Sequence, residues 1–129
     1  MDQDRASRIL AAEAIVGITF GLLLLVVPDR LLAIYGVKAS DGVILLGRLL
    51  GAELLGFNYA NVVAIRGDRR SLSPVVRGHL VGNGVGFLVA LGAVIAGTVN
   101  GAAWSIVLIF LLFALAYGWV LVARPRRFP

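Results

Sequence analysis

Four long stretches of hydrophobic residues follow one another along the chain, separated by short polar segments. They cover residues 9–27, 42–65, 75–99 and 102–123. Each stretch has about the number of apolar residues that an α-helix needs to cross a hydrocarbon core of ~30 Å. The pattern predicts an all-α integral membrane protein, a four-helix bundle that forms a single domain over residues 1–129.

The segment between the first two stretches, residues 28–40, is too short and too charged to cross a membrane. Asp29 can cap a short helix there and Gly36 can end it. Leucine and isoleucine side chains fall on one side of this helix, and Tyr35 follows them. We expect a short interfacial helix between spans 1 and 2, with Tyr35 at the level of the lipid headgroups.

The composition agrees with a membrane location. Hydrophobic residues make up 60% of the chain, charged residues only 15%, and the mean hydropathy is +0.95. The net charge of +5 comes from arginines beside the hydrophobic stretches, where basic residues set topology, so we do not expect nucleic-acid binding. Cysteine is absent, which excludes disulfides and thiolate metal sites, and one histidine cannot ligate haem from both sides. We therefore predict no cofactor and no metal.

The distribution of basic residues predicts the orientation. The N-terminus, the loop between spans 2 and 3 and the C-terminal tail share nine arginines, namely Arg5, Arg8, Arg66, Arg69, Arg70, Arg77, Arg124, Arg126 and Arg127. The opposite side has only Arg30 and Lys38. By the positive-inside rule, both termini face the cytoplasm and the protein is a multi-pass protein of the plasma (inner) membrane.

Small residues recur at intervals of four within the spans, a spacing that lets helix backbones approach closely in a membrane. We expect helix packing at six glycines, Gly17, Gly21, Gly47, Gly51, Gly82 and Gly86. The second span has two such faces: one carries Gly47, Gly51 and Asn58, and the other carries Glu53, Gly56, Ala60, Asn61 and Ala64. A helix with two small and polar faces has neighbours on two sides, so this span should be the centre of the bundle.

Polar side chains also recur within the spans. At a rise of about 1.5 Å per residue, Glu13, Asn61 and His79 each lie ~6 Å from the cytoplasmic ends of their spans. The same measure places Asn58 at about 10 Å, Asn83 at about 13 Å and Glu53 at about 18 Å. The sequence thus predicts one buried polar cluster, centred on Glu53, with six members: Glu13, Glu53, Asn58, Asn61, His79 and Asn83.

This cluster has more than one interpretation. It can be structural, with each group satisfying another across the helices. It can also be an ion or ligand site, because ionisable residues at membrane depth are functional candidates and His79 can titrate. A third interpretation is a metal site on Glu13, Glu53 and His79, which would require the three helices to lie closer together than the other two interpretations do.

Arg48 lies about 140° around the helix from Glu53, so we expect no salt bridge between them within the span. Arg48 can extend to the lipid headgroups, pair with another helix, or contact a partner protein.

The stretch LLGRLLGAELLGFNYANVVAIR, preceded by PDRLLAIYG, resembles small four-span bacterial membrane proteins of the DoxX-like kind. Many of these have a proline-ended first span, a short interfacial segment ending in Tyr-Gly, and a glycine-rich second span with an arginine. The resemblance covers mainly the first half of the chain. It implies a four-helix membrane bundle, with some relatives acting as accessory subunits of membrane oxidoreductases, and it carries over no catalytic residue.

Two functions remain open. The preferred one is a small accessory or scaffolding protein that acts through helix contacts, in a homo-oligomer or with a larger membrane-protein partner. The alternative is a small transporter or a ligand- or ion-binding membrane protein that uses the polar cluster. An enzyme ranks third, because no nucleophile with a base and an orienting acid is recognisable.

Overall fold

The computed structural model describes residues 2–67 and 72–123, and this part of the chain is almost entirely helical. The helices are α1 (Gln3–Val26), α2 (Pro28–Ile34), α3 (Asp41–Arg66), α4 (Leu72–Ile95) and α5 (Trp104–Val122), with a 3-10 turn at Gly101–Ala103 before α5. Each of the four long segments is long and apolar enough to cross a membrane. The all-α class, the four long helices and the short helix after the first one are confirmed. Arg69, Arg70, Arg124, Arg126 and Arg127, which the orientation argument counted, lie outside the described residues.

Local signals explain where the helices begin and end. Asp2 caps α1 by accepting from the backbone N–H of Arg5 at 3.3 Å, and Ser40 caps α3 by accepting from that of Val43 at 3.4 Å. The third span ends at Ile95 rather than at the predicted residue 99, because Gly97 adopts a left-handed conformation with φ of 66°. The amide of Thr98 then donates back to the carbonyl of Ala93 at 3.1 Å, which stops the helix.

The helices pack as two antiparallel pairs, α1 with α3 and α4 with α5. Glycines allow the first pair to approach closely: a Cβ added to Gly51 would lie 2.7 Å from the carbonyl oxygen of Gly21, and one added to Gly17 would overlap Asn58. In the second pair, a Cβ on Gly86 would lie 2.6 Å from the ring of Phe110. These four glycines have the packing role predicted for them.

The other two predicted packing glycines, Gly47 and Gly82, do not lie at such close helix contacts. Gly47 lies under α2, where an added Cβ would meet Pro28 at an ordinary 3.5 Å. Gly82 is exposed, and an added Cβ would have no neighbour within 4 Å, so Gly82 mediates no packing between the described helices. Gly82 instead borders a cavity that is described below.

The prediction that α3 is the centre of the bundle is also wrong. The helix that touches all the others is α1, whereas α3 packs along α1 with one face and makes only a small contact with α4. The buried face of α3 combines members of both predicted faces, Gly47, Gly51, Asn58, Asn61 and Ala64. The face that carries Glu53 and Gly56 points away from the protein.

The two helix pairs meet at both ends of the bundle. At the end where α1 begins and α3 ends, here called the terminal end, they share an apolar core of Ala6, Leu10, Ala64, Leu72, Val76, Tyr117 and Val120. At the opposite end, the loop end, Asn100 donates from Nδ2 to the carbonyl of Ile34 at 2.9 Å and from its backbone N–H to that of Tyr35 at 3.1 Å. The space between these two junctions is the site of interest.

Candidate functional site

Glu13 of α1 is the hub of a polar network above the terminal-end core. Its Oε1 accepts from Nδ2 of Asn83 on α4 at 2.7 Å, and its Oε2 accepts from the hydroxyl of Tyr117 on α5. Nδ1 of His79 lies 2.6 Å from the same Oε2. One carboxylate therefore joins three helices, which agrees with the rule that a polar group at membrane depth needs protein partners.

A chain of hydrogen bonds continues from His79 into α3. Nε2 of His79 lies 2.6 Å from Oδ1 of Asn61, Nδ2 of Asn61 donates to Oδ1 of Asn58 at 3.2 Å, and Nδ2 of Asn58 donates to the carbonyl of Leu54 at 2.7 Å. A carbonyl oxygen can only accept, so it fixes the orientation of both asparagine amides. His79 must consequently donate to Asn61 from Nε2.

This direction determines what faces Glu13. With Nε2 protonated, the other ring nitrogen, Nδ1, lies 2.6 Å from a carboxylate oxygen but makes no hydrogen bond of acceptable geometry within the described residues. Two lone pairs at that distance would repel, so the contact is favourable when one of the two atoms carries a proton. With one such proton the Glu13–His79 pair is neutral overall, which is the form that a low-dielectric interior tolerates.

Aromatic rings hold the imidazole in place. The ring centroid of His79 lies 4.5 Å from that of Phe57 on α3 and 5.4 Å from that of Tyr117 on α5. His79 itself is only 2% exposed. The ring is thus packed between two helices as well as hydrogen-bonded, which leaves it little freedom to rotate.

An apolar cavity of about 430 Å³ begins at this network and extends between the helix pairs toward the loop end. Glu13, Asn58, His79 and Asn83 form its polar end, and its walls are leucine, isoleucine and phenylalanine side chains of α1, α2, α3 and α5. The volume lies within the ~300–1,000 Å³ of small-molecule sites, which are mostly apolar with a few convergent polar groups.

The cavity opens sideways, between α3 and α4. Lining residues on these two helices, Leu50, Phe57 and Gly82, are exposed, whereas the lining residues of α1 and α5 are at least half covered. At the terminal end the network is closed by the apolar core, to which Tyr117 also belongs. The polar groups are therefore reached from the side of the bundle rather than from its end.

Both amide hydrogens of Asn83 are in use, one on Glu13 and the other on the carbonyl of His79 at 2.9 Å. Its Oδ1 makes no hydrogen bond within the described residues and so can accept one. Each carboxylate oxygen of Glu13 can also accept more than one bond. The polar end of the cavity therefore offers acceptors and suits a molecule that donates.

The structure brings together five of the six predicted cluster residues, Glu13, Asn58, Asn61, His79 and Asn83. The prediction that Glu53 is the centre of the cluster is wrong: Glu53 is exposed on the outer face of α3, about 140° around the helix from Asn58. Its depth within the span was the only reason to place Glu53 in the polar cluster. Arg48 is exposed as well, and neither residue makes an ion pair within residues 2–67 and 72–123.

Tyr117 is the network member that sequence reasoning missed. A signal existed, because Tyr117 is one of few polar side chains in the fourth span and lies about 9 Å from its predicted end at residue 123. That depth matches the other members. In the described part of the chain, no three His, Asp or Glu side chains come together in a group that could hold a metal ion.

In comparisons with known proteins, no family model, no curated protein and no solved structure matches this chain.

Proposed function

We propose that this protein is a membrane-embedded binding protein for a small amphiphile, an apolar molecule with one hydrogen-bond-donating head group such as an alcohol or an amine. The observation that carries the proposal is the apolar cavity that opens to the side and has acceptors at its inner end. The apolar body of the ligand would fill the cavity, and its head group would donate to Glu13 or Asn83.

The proposal includes the membrane placement predicted from the arginines, with four spans in the plasma membrane and both termini in the cytoplasm. In that placement the opening between α3 and α4 faces acyl chains, so a ligand dissolved in the bilayer enters without crossing water. From the resemblance to DoxX-like proteins, this proposal takes only the architecture of a four-helix membrane bundle.

The transport version of the ligand hypothesis has less support. A transporter needs access from both sides of the membrane, and the terminal-end core of seven buried residues separates the network from one side. The accessory hypothesis has a separate observation in its favour, the exposed pair of charges on α3, which is developed in the next subsection.

Binding of tritiated decan-1-ol to the protein in phosphatidylcholine nanodiscs tests the proposal, with protein-free nanodiscs as the partition control. We expect saturable binding, and binding of decane about tenfold weaker because it lacks the head group that reaches the acceptors.

Two glycines of α4 provide a matched pair of variants, since an added Cβ meets nothing within 4 Å at either. Gly82 lines the cavity opening, whereas Gly92 does not line it. Gly82→Phe should weaken decan-1-ol binding by about tenfold or more, and Gly92→Phe should leave it within about twofold. Absence of saturable binding, or equal binding by both variants, would overturn the proposal.

A further inference from the structure

The outer face of α3 carries a row of small residues that has no neighbour in this structure. Gly56 is exposed with no atom within 4 Å of an added Cβ, and Ala52 and Ala60, one turn to either side, are exposed too. Small residues at every fourth position allow two helices to approach closely in a membrane. The face lies directly opposite the one that packs on α1, so α3 has neighbours on one side only.

Two charged side chains flank this row. Glu53 lies roughly 18–20 Å from either end of α3, at the middle of the proposed span, and Arg48 lies about 11 Å from the start of the helix. Both are exposed, and neither makes an ion pair with a described residue. Charges at such depth are expensive in contact with lipid and normally pair with protein groups. An occupant of this face that supplies both a cation and an anion would pair both side chains.

We propose that the occupant is a second copy of this chain, with its α3 packed parallel to the first around a two-fold axis. At 3.6 residues per turn, Glu53 lies about 60° to one side of Gly56 and Arg48 about 80° to the other. A two-fold axis along the membrane normal sets the Glu53 flank of one copy against the Arg48 flank of the other. Two identical ion pairs then form, each between copies.

The chain is thus self-complementary on this face, because it provides both charges on the correct flanks. This inference rests on the membrane placement proposed above and not on the cavity, since the face and the cavity opening lie on different sides of α3. A negative result for the dimer therefore does not affect the ligand proposal, and a negative result for ligand binding does not affect the dimer proposal.

Disulfide cross-linking in native membranes tests the contact, and the chain suits it because it has no cysteine of its own. Gly56→Cys should give a cross-linked dimer on oxidation. Gly82→Cys is the matched control: Gly82 is also exposed, likewise has no atom within 4 Å of an added Cβ, and lies as many residues from Leu72 as Gly56 lies from Arg66. A Gly56→Cys that links only to a different protein, or that links no better than Gly82→Cys, would overturn the proposal.

A mixing experiment tests the ion pairs without introducing a new charge into the membrane. A dimer of Arg48→Gln alone leaves two carboxylates unpaired, and a dimer of Glu53→Gln alone leaves two guanidinium groups unpaired. The mixed dimer keeps one complete ion pair and replaces the other with two amides. Differently tagged copies of the two variants, each carrying Gly56→Cys, should therefore form mixed dimers several-fold above the statistical proportion, and statistical mixing would contradict the charge pairing.

Discussion

Oε2 of Glu13 and Nδ1 of His79 lie 2.6 Å apart across the contact between α1 and α4. The hydrogen-bond direction set by the carbonyl of Leu54 leaves this contact favourable only with a proton between the two atoms. His79 is the single histidine of the chain, so nitrogen-15 histidine labelling yields one imidazole spectrum. We expect Nε2 to carry a proton that exchanges slowly with water. A spectrum with Nδ1 as the only protonated nitrogen would contradict the assigned direction of the chain.

Removal of the carboxylate should destabilise the bundle. Glu13→Ala leaves the donors of Asn83 and Tyr117 without their shared acceptor and removes the partner of His79, and loss of one partner of a buried pair costs about 3–5 kcal/mol. Unfolding in detergent, monitored by circular dichroism, gives the change in the free energy of unfolding. Glu53→Ala is the control, studied at protein concentrations where the chain is monomeric, because that carboxylate is exposed and outside the network. Equal losses for the two variants would remove Glu13 from its central role.

The hydroxyl of Tyr117 should contribute to the free energy of unfolding only through its hydrogen bond to Glu13. Tyr117→Phe preserves the buried ring and removes one hydrogen bond to a carboxylate, a loss of about 1.5–3 kcal/mol. In a Glu13→Ala background the same change should cost less than about 1 kcal/mol, because the acceptor is already gone. The double-mutant cycle in the same unfolding assay measures this coupling, and additive losses would show that the hydroxyl acts elsewhere.

Close approach of α1 and α3 depends on Gly51. Gly51→Ala places a Cβ 2.7 Å from the backbone oxygen of Gly21, so the helices must separate, and we expect a loss of about 1–3 kcal/mol in the free energy of unfolding. Gly92→Ala, on α4 with free space around it, should instead stabilise by up to about 1 kcal/mol, because alanine favours the helix over glycine. The test is that the two variants change the free energy of unfolding in opposite directions, because a general effect of alanine would change it in the same direction for both.

The junction at the loop end should be sensitive to Asn100. Its Oδ1 accepts from the backbone N–H of Ala102 at 3.0 Å, and its Nδ2 donates to the carbonyl of Ile34 on α2 at 2.9 Å. Asn100→Ser keeps an acceptor for the turn but loses the cross-link, at a cost of about 1 kcal/mol. Asn100→Ala loses both, at about 2 kcal/mol. Faster amide exchange in α2 for both variants, relative to α1, would locate the effect at this junction.

The four long helices, the caps of α1 and α3 and five members of the network were predictable from the sequence. Helix caps depend on local residues such as Asp2 and Ser40, and the rise per residue sets the depth of Glu13, Asn61 and His79 within each span. Both signals are independent of how the helices are arranged around one another.

The direction that each side chain faces was not predictable in the same way. The faces of α3 that carry Gly51 and Gly56 have the same kind of small-residue signal, and the sequence does not say which one α1 will occupy. Once α1 takes the Gly51 face, Glu53 must point outward although its depth suits the cluster. The link from Asn100 to Ile34 was also unpredictable, since it depends on how the two helix pairs converge at the loop end.

The sideways opening between α3 and α4 has a consequence for any affinity measured at this site. In a bilayer, the tails of neighbouring phospholipids compete for the same apolar walls, so the apparent Kd of a ligand reports a difference between two occupants. Saturation and thickness of the host lipid then enter the result, and the same protein reconstituted in two lipid mixtures should yield two different constants.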